Sequence, residues 1–112
     1  MKKIEAVIRH HKLDEVKSAV SQAGIQGMTV TEVRAYGAQQ SRTDAYRGLE
    51  YAVDFAPRVK LEIVVSDQEC RLVVEAILSS ARTGEPGDGS IVISTLSNAV
   101  RVRTGEVAEA AM

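Results

Sequence analysis

Arg82-Thr83-Gly84-Glu85-Pro86-Gly87-Asp88-Gly89-Ser90 places three glycines in one short turn, and Arg101-Val102-Arg103-Thr104-Gly105 follows downstream. Glycines this close let successive backbone N–H groups point into one concavity, a nest that binds phosphate or another anion. Arg101 and Arg103 would supply the cations. The glycines alone also fit a tight turn built from its usual residues; the paired arginines raise the anion-binding reading above it. No Ser-His-Asp set with recognisable spacing and no carboxylate pair placed for acid–base work accompanies them. The chain therefore reads as a binder and not as an enzyme.

The elements that must position these residues are legible in the hydrophobic pattern. Ile4, Ala6 and Ile8 alternate with Lys3, Glu5, Val7 and Arg9, which is strand spacing with one face turned to a core. Leu13, Val16, Ala19, Val20 and Ala23 then recur at helical intervals up to Gly24, a suitable C-terminal residue. Thr29 to Tyr36 is rich in β-branched residues and predicts a second strand. The same order repeats. Val59, Leu61, Ile63 and Val65 alternate, Ser66-Asp67-Gln68-Glu69 has capping-box spacing, and Cys70, Val73, Val74, Ile77, Leu78 and Ala81 form a helical stripe. Ile91 to Thr95 predicts a fourth strand, and Ala99 to Arg103 a short fifth. Two β-α-β units give the βαββαβ order of a ferredoxin-like α/β (α+β) sandwich. Helices would cover one sheet face, and an apolar second face would be covered by packing between subunits.

Length and composition set the limits. A chain of 112 residues suffices for one domain, residues 1–112, so a larger site requires self-association. Fourteen basic and fifteen acidic side chains nearly cancel, which argues against a sequence-independent nucleic-acid binder. Cys70 is the one cysteine, so an intramolecular disulfide and a cysteine metal cluster are excluded, and a reduced, cytoplasmic setting is expected. Met1-Lys2-Lys3-Ile4-Glu5 runs straight into a strand pattern without the apolar core of a signal peptide, and no run approaches the ~18 apolar residues of a membrane span.

Between the two halves lies Gly37 to Pro57, about twenty residues without sustained periodicity where this fold would place a short turn. It contains Tyr46-Arg47-Gly48-Leu49-Glu50-Tyr51, and exposed tyrosine and arginine are residues that make interface hot spots. The segment is expected to be a projecting interaction arm. Together with Gly27-Met28-Thr29-Val30-Thr31-Glu32-Val33, Thr83-Gly84-Glu85-Pro86-Gly87-Asp88-Gly89 and Arg101-Val102-Arg103-Thr104-Gly105-Glu106, this motif resembles the PII family of nitrogen-regulatory signal proteins. The match is collinear over nearly the whole chain.

The resemblance implies a homotrimer of ferredoxin-like subunits that binds adenine nucleotide, ATP or ADP with AMP a third candidate, in clefts between subunits. It also implies a loop, here 37–55, that docks onto target enzymes or an ammonium channel according to the bound effector. Carried over residue by residue, Thr29 and the backbone at Val64 would hold the adenine and Glu62 the ribose. Gly87, Asp88 and Gly89 would bring backbone amides to the phosphates, with Ser90 beside them, and Arg101 and Arg103 would add side-chain charge. Gly37, Ala38 and Gln39 would lie at the loop base. Gln39 would help hold a magnesium ion bridging ATP and 2-oxoglutarate, while Arg58 would meet a carboxylate of the latter. Tyr46, Arg47 and Leu49 would face the partner, and Tyr51 matches the tyrosine that a nucleotidylyltransferase modifies in some bacterial members.

The departures bear on the ligand. Family members usually carry Arg-Gln-Lys after the loop-base glycine, whereas here the run is Gly37-Ala38-Gln39-Gln40, and Ser90 stands where a lysine usually follows Gly-Asp-Gly. Hydrogen bonds to charged groups contribute roughly 1.5–3 kcal/mol each, so the loss of two uncompensated cations would weaken triphosphate binding by several orders of magnitude, and adenine nucleotide is expected to bind with ATP weakened relative to ADP or AMP. His10-His11 replaces a usual proline and aromatic; adjacent histidines on a strand face opposite ways, so surface histidines are expected rather than a chelate. Leu49 enlarges the apolar group before Glu50. Three competitors remain. An RNA-recognition module shares the topology but needs aromatics on its central strands, absent from Ile4 to Arg9 and from Val59 to Ser66. An acylphosphatase-type hydrolase would pair Arg9 with Asn98 but lacks a glycine cradle after Ile8. A divergent scaffold without nucleotide control is the third.

Overall fold

The computed structural model describes residues 1–36 and 55–108. The alternating N-terminal segment forms β1 (Lys2–Arg9), with Ile4, Ala6 and Ile8 buried. A 3-10 turn over His10–Lys12 leads into α1 (Leu13–Gln22), followed by β2 (Thr29–Ala35). The second half supplies β3 (Ala56–Val65), α2 (Asp67–Ala81) and β4 (Gly89–Thr95). The sheet order is β2-β3-β1-β4, and every neighbouring pair is antiparallel. Each β-α-β unit thus straddles a strand of the other, the ferredoxin-like arrangement expected from the sequence.

Local chemistry explains the helix ends. At the close of α1, Gly24 takes φ +98, its N–H donates to Ser21 O and the Ile25 N–H reaches back to Val20 O, a Schellman motif that satisfies two helix carbonyls. Ile25 packs on the core beside it. At the start of α2, the Ser66 Oγ accepts from the Glu69 N–H at 3.2 Å while the Glu69 Oε1 accepts from the Ser66 N–H at 3.0 Å, the capping box foreseen in the sequence. Val16 and Val20 of α1 and Val73, Ile77 and Ala81 of α2 bury their stripe against Ile4, Ile8, Leu61 and Ile63. The burial of apolar side chains at about 25 cal/mol per Å² is what fastens the helices to one sheet face.

Three expectations change. Strand β3 begins at Ala56, so Pro57 is a strand residue; at that point β3 pairs only with β2 at Arg34, because pairing with β1 starts at Arg58, and a proline tolerates the unpaired side. The fifth strand over Ala99–Arg103 does not form: Val100 makes a single bridge to Val107, and the chain turns through 102–104. The second sheet face is not apolar. Its pleat carries Lys3, Glu5, Lys60 and Glu62 among Val7, Val64 and Val92, with ion pairs Lys3–Glu62 at 2.8 Å and Lys60–Glu5 at 3.9 Å. Among the described residues no helix is long and apolar enough to cross a membrane.

Candidate functional site

The glycine turn enters β4 at the end of the sheet where β1 finishes. Gly89 lies opposite Ile8 in the register with φ +111, and a Cβ there would stand 1.8 Å from the Val7 carbonyl oxygen. Only glycine lets the turn join the sheet that closely. Gly84 and Gly87 also take positive φ, +87 and +94. Asp88 folds its carboxylate inward: it accepts from the Thr83 N–H at 2.8 Å, the Gly84 N–H at 2.9 Å, the Thr83 hydroxyl and the Arg9 Nε at 3.0 Å. The Thr83 hydroxyl contributes most to holding this carboxyl far below the usual carboxylate range, against the opposing cost of burial, with Arg9 and the two amides adding to it. Arg9 also donates from Nη2 to the Pro86 carbonyl at 2.6 Å. Asp88 is therefore an internal tie of the turn.

A second cluster forms at the other edge of the sheet and nearer its opposite end. Thr29 on β2 is directly opposite Glu62 on β3, and Val64 follows on the same face. These residues line one groove of about 740 Å³ with Gly27, Met28 and Glu69, a volume within the ~300–1,000 Å³ range of small-molecule sites. Glu62 is oriented by Lys3; the hydrogen bond from that ammonium lowers the carboxyl's pKa and raises that of Lys3. An ionised carboxylate with an oxygen left over is a suitable acceptor for a pair of sugar hydroxyls. The trio of Thr29, Glu62 and Val64 that the resemblance implies is thus brought together.

Within one chain the arginines do not adjoin the glycine turn. Arg101 and Arg103 come after the Thr95 end of β4, and the glycine turn precedes its Gly89 end, so about 20 Å of strand separates the two points of attachment. Arg101 is held in its own turn, with its N–H donating to the Glu106 carbonyl at 2.8 Å and its Nε 3.4 Å from the Glu106 carboxylate. Asn98, the hydrolase candidate, likewise lies past the Thr95 end, where its Oδ1 accepts from Ala99 N and Ala108 N; Arg9 is at the opposite end, so the acylphosphatase pairing does not form. Ser90 sits opposite Val7 at the first turnward pair of β4 after Gly89.

Arg58 lines a third concavity with His10, Glu32, Val33, Arg34 and Pro57. Its Nη1 donates to the Pro57 carbonyl at 2.7 Å, and burial followed by the like charge of Arg9, its register partner, lowers its pKa. An anion arriving there would relieve that repulsion. His10 and His11 are exposed in the 3-10 turn and not on the strand, because β1 ends at Arg9; among the described residues no group of three metal-ligating side chains forms. Gly37, Ala38, Gln39, Tyr46, Arg47, Leu49 and Tyr51 lie outside the described residues. At the edge of that segment, the Tyr36 and Phe55 rings meet with centroids 5.6 Å apart.

Sequence reasoning gave no positioning role to Arg9, Thr83 or Lys3. Thr83 was within the quoted motif, and its threonine-to-aspartate spacing is the signal that could have identified a side-chain tie. Arg9 and Lys3 act across strand pairs, which no local pattern reveals.

The comparisons agree with this geometry. The family model for Nitrogen regulatory protein P-II matches residues 1–106. The chain is similar to a Nitrogen regulatory protein P-II of Rhodobacter capsulatus, 51% identical over 112 residues and covering all of both chains. It is 53% identical over 112 residues to the corresponding protein of Cereibacter sphaeroides, again covering all of both. A relative of the same name from Microchaete diplosiphon is 57% identical over 106 residues, 95% of each chain. A full-length match, the βαββαβ sheet and the glycine turn coincide: the chain belongs to the nitrogen regulatory protein P-II family, whose members are signalling proteins and not enzymes.

Proposed function

We propose that this protein is a signal transducer of nitrogen metabolism that binds adenine nucleotide between copies of itself and acts on its targets through the segment 37–55. The observation that carries the reading is the division of the expected nucleotide site into two halves. The Thr29–Glu62–Val64 groove belongs to the β2 edge, and the Gly87–Gly89 turn to the β4 edge. Three strand spacings of about 4.8 Å and three residues of about 3.3 Å separate Thr29 from Gly89 across the sheet. A nucleotide with its base in the groove of one copy and its phosphates on the turn of the next uses both halves. Head-to-tail contacts of that kind form a ring where the rotation closes, and the reading adopted for this ring is the trimer that the family resemblance implies. Targets are nitrogen-metabolism enzymes, transcriptional regulators or an ammonium channel, with Tyr46, Arg47 and Leu49 at the contact and Tyr51 open to nucleotidylylation.

The ligand preference follows from charge. With Ala38 and Ser90 in place of two cations, Arg101 and Arg103 suit ADP or AMP better than ATP, and Gln39 is left with a weaker hold on magnesium and 2-oxoglutarate, Arg58 supplying the carboxylate partner. Calorimetric titration with ATP, ADP and AMP, with and without magnesium and 2-oxoglutarate, tests this. ADP binding at least as tight as ATP binding is expected. Tight, magnesium-dependent ATP binding with 2-oxoglutarate synergy overturns the preference. Absence of binding by all three nucleotides favours the second reading, a scaffold that binds partners without nucleotide control, which the missing cations also support.

A further inference from the structure

The turn that would receive the phosphates is tied internally through Asp88 and joins the sheet at Gly89, and among the described residues the side chain from outside it that hydrogen-bonds to it is that of Arg9. Arg9, the last residue of β1, donates from Nε to the Asp88 carboxylate at 3.0 Å and from Nη2 to the Pro86 carbonyl at 2.6 Å. Its two contacts bracket Gly87, one of the residues whose N–H groups form the nest. The Asp88 carboxylate in turn accepts the Thr83 and Gly84 N–H groups, so the guanidinium fixes the position of the group that closes the turn. Both partners of the ion pair are partly buried, at 22% and 24% side-chain exposure, so the contact is screened less than that of a fully exposed pair. Nothing about the placement is local: Arg9 and Asp88 are 79 residues apart and meet because Ile8 and Gly89 are register partners.

We infer that Arg9 is the positioning residue of the nucleotide's phosphate site, acting through Asp88 and Pro86 to hold the Gly87–Gly89 amides in an anion-binding arrangement. The inference rests on the nucleotide reading above, and its consequence is selective. Arg9 touches the turn and does not line the groove that takes base and ribose, which the proposed site draws from another copy, so its loss weakens phosphate-bearing ligands and spares the nucleoside. A planar guanidinium makes both contacts at once; a lysine ammonium retains the charge pair and gives up the second contact.

The test compares the wild type with Arg9→Gln, Arg9→Lys, Asp88→Asn and the Arg9→Gln/Asp88→Asn double variant. ADP and adenosine are titrated, and amide hydrogen exchange over 83–89 is followed without ligand. Expected results are at least tenfold weaker ADP binding in Arg9→Gln with adenosine affinity kept within twofold, an intermediate loss in Arg9→Lys, and faster exchange at Thr83 and Gly84 in Arg9→Gln. The double variant should be no weaker than the poorer single variant, since both substitutions break one tie. Equal loss of ADP and adenosine, or additive losses in the double variant, overturns the positioning role. A wild type that binds neither ligand overturns the nucleotide reading instead, and the exchange rates then decide Arg9: unchanged rates in Arg9→Gln refute it, and accelerated rates uphold its hold on the turn.

Discussion

Asp88 illustrates how a residue in a sequence motif acquires its role from contacts the motif does not contain. Its carboxylate is saturated by Thr83, Gly84 and Arg9, so its role in the structure is to tie the turn together. The same contacts make stability depend on acid. The folded carboxyl titrates far below its unfolded value of about 3.9, so its stabilisation is fully present above about pH 5 and is lost as pH falls toward the folded value. Thermal unfolding of wild type and Asp88→Asn between pH 2 and 7 should show the wild-type advantage shrinking below about pH 4. Parallel curves for the two proteins would refute this. Glu62 is also lowered by its Lys3 partner, but that contribution is common to both proteins and cancels in the comparison. Gly89 was legible as a turn glycine, whereas its reason, the Val7 carbonyl where a Cβ would go, depends on the β1–β4 register.

At the scale of elements the sequence was most informative, because period and capping are local properties. The stripe Val73, Ile77 and Ala81 and the Ser66–Glu69 box both appear as read. Ser66→Ala removes the acceptor for the Glu69 N–H, and loss of such a cap typically costs about 1 kcal/mol. For a domain near 100 residues this corresponds to a fall in Tm of roughly 4 °C, checked by calorimetry, with nucleotide affinity unchanged if α2 keeps its position. A fall below about 1 °C would show that the box contributes little. The elements that the sequence placed wrongly were short or dependent on partners. Ala99–Arg103 has β-branched residues but only the Val100–Val107 bridge to pair with, and a strand without a ladder is not one. Pro57 marked a loop in the sequence, yet the single-sided pairing of β3 there makes proline acceptable in a strand.

For the whole molecule the informative quantity is the sheet order. With β3 and β1 in the centre, Thr29 and Glu62 fall toward one edge and Gly89 on the other, which is the separation that the proposed site between copies would bridge. Mixing provides the check. Glu62→Ala breaks the groove, and Gly87→Val breaks the turn by placing a branched side chain at φ +94. Each variant alone should lose nucleotide binding. Co-refolded in equal amounts, they should recover about a quarter of the wild-type sites, those in which an intact groove meets an intact turn. A site within one chain would recover none.

What the amino-acid sequence determined by itself was the set of elements and the chemistry within each: strand and helix periods, the capping box, the Gly24 stop and the glycine turn. These follow from interactions between residues close in the chain or from a repeating pattern. The tertiary structure decided which of them meet. It separated Arg101 and Arg103 from the turn along the length of β4, joined Arg9 to Asp88 across 79 residues, and gave the open sheet face its ion pairs. Those outcomes depend on strand order and register, which arise from packing both helices on one sheet face and are not encoded in any single segment.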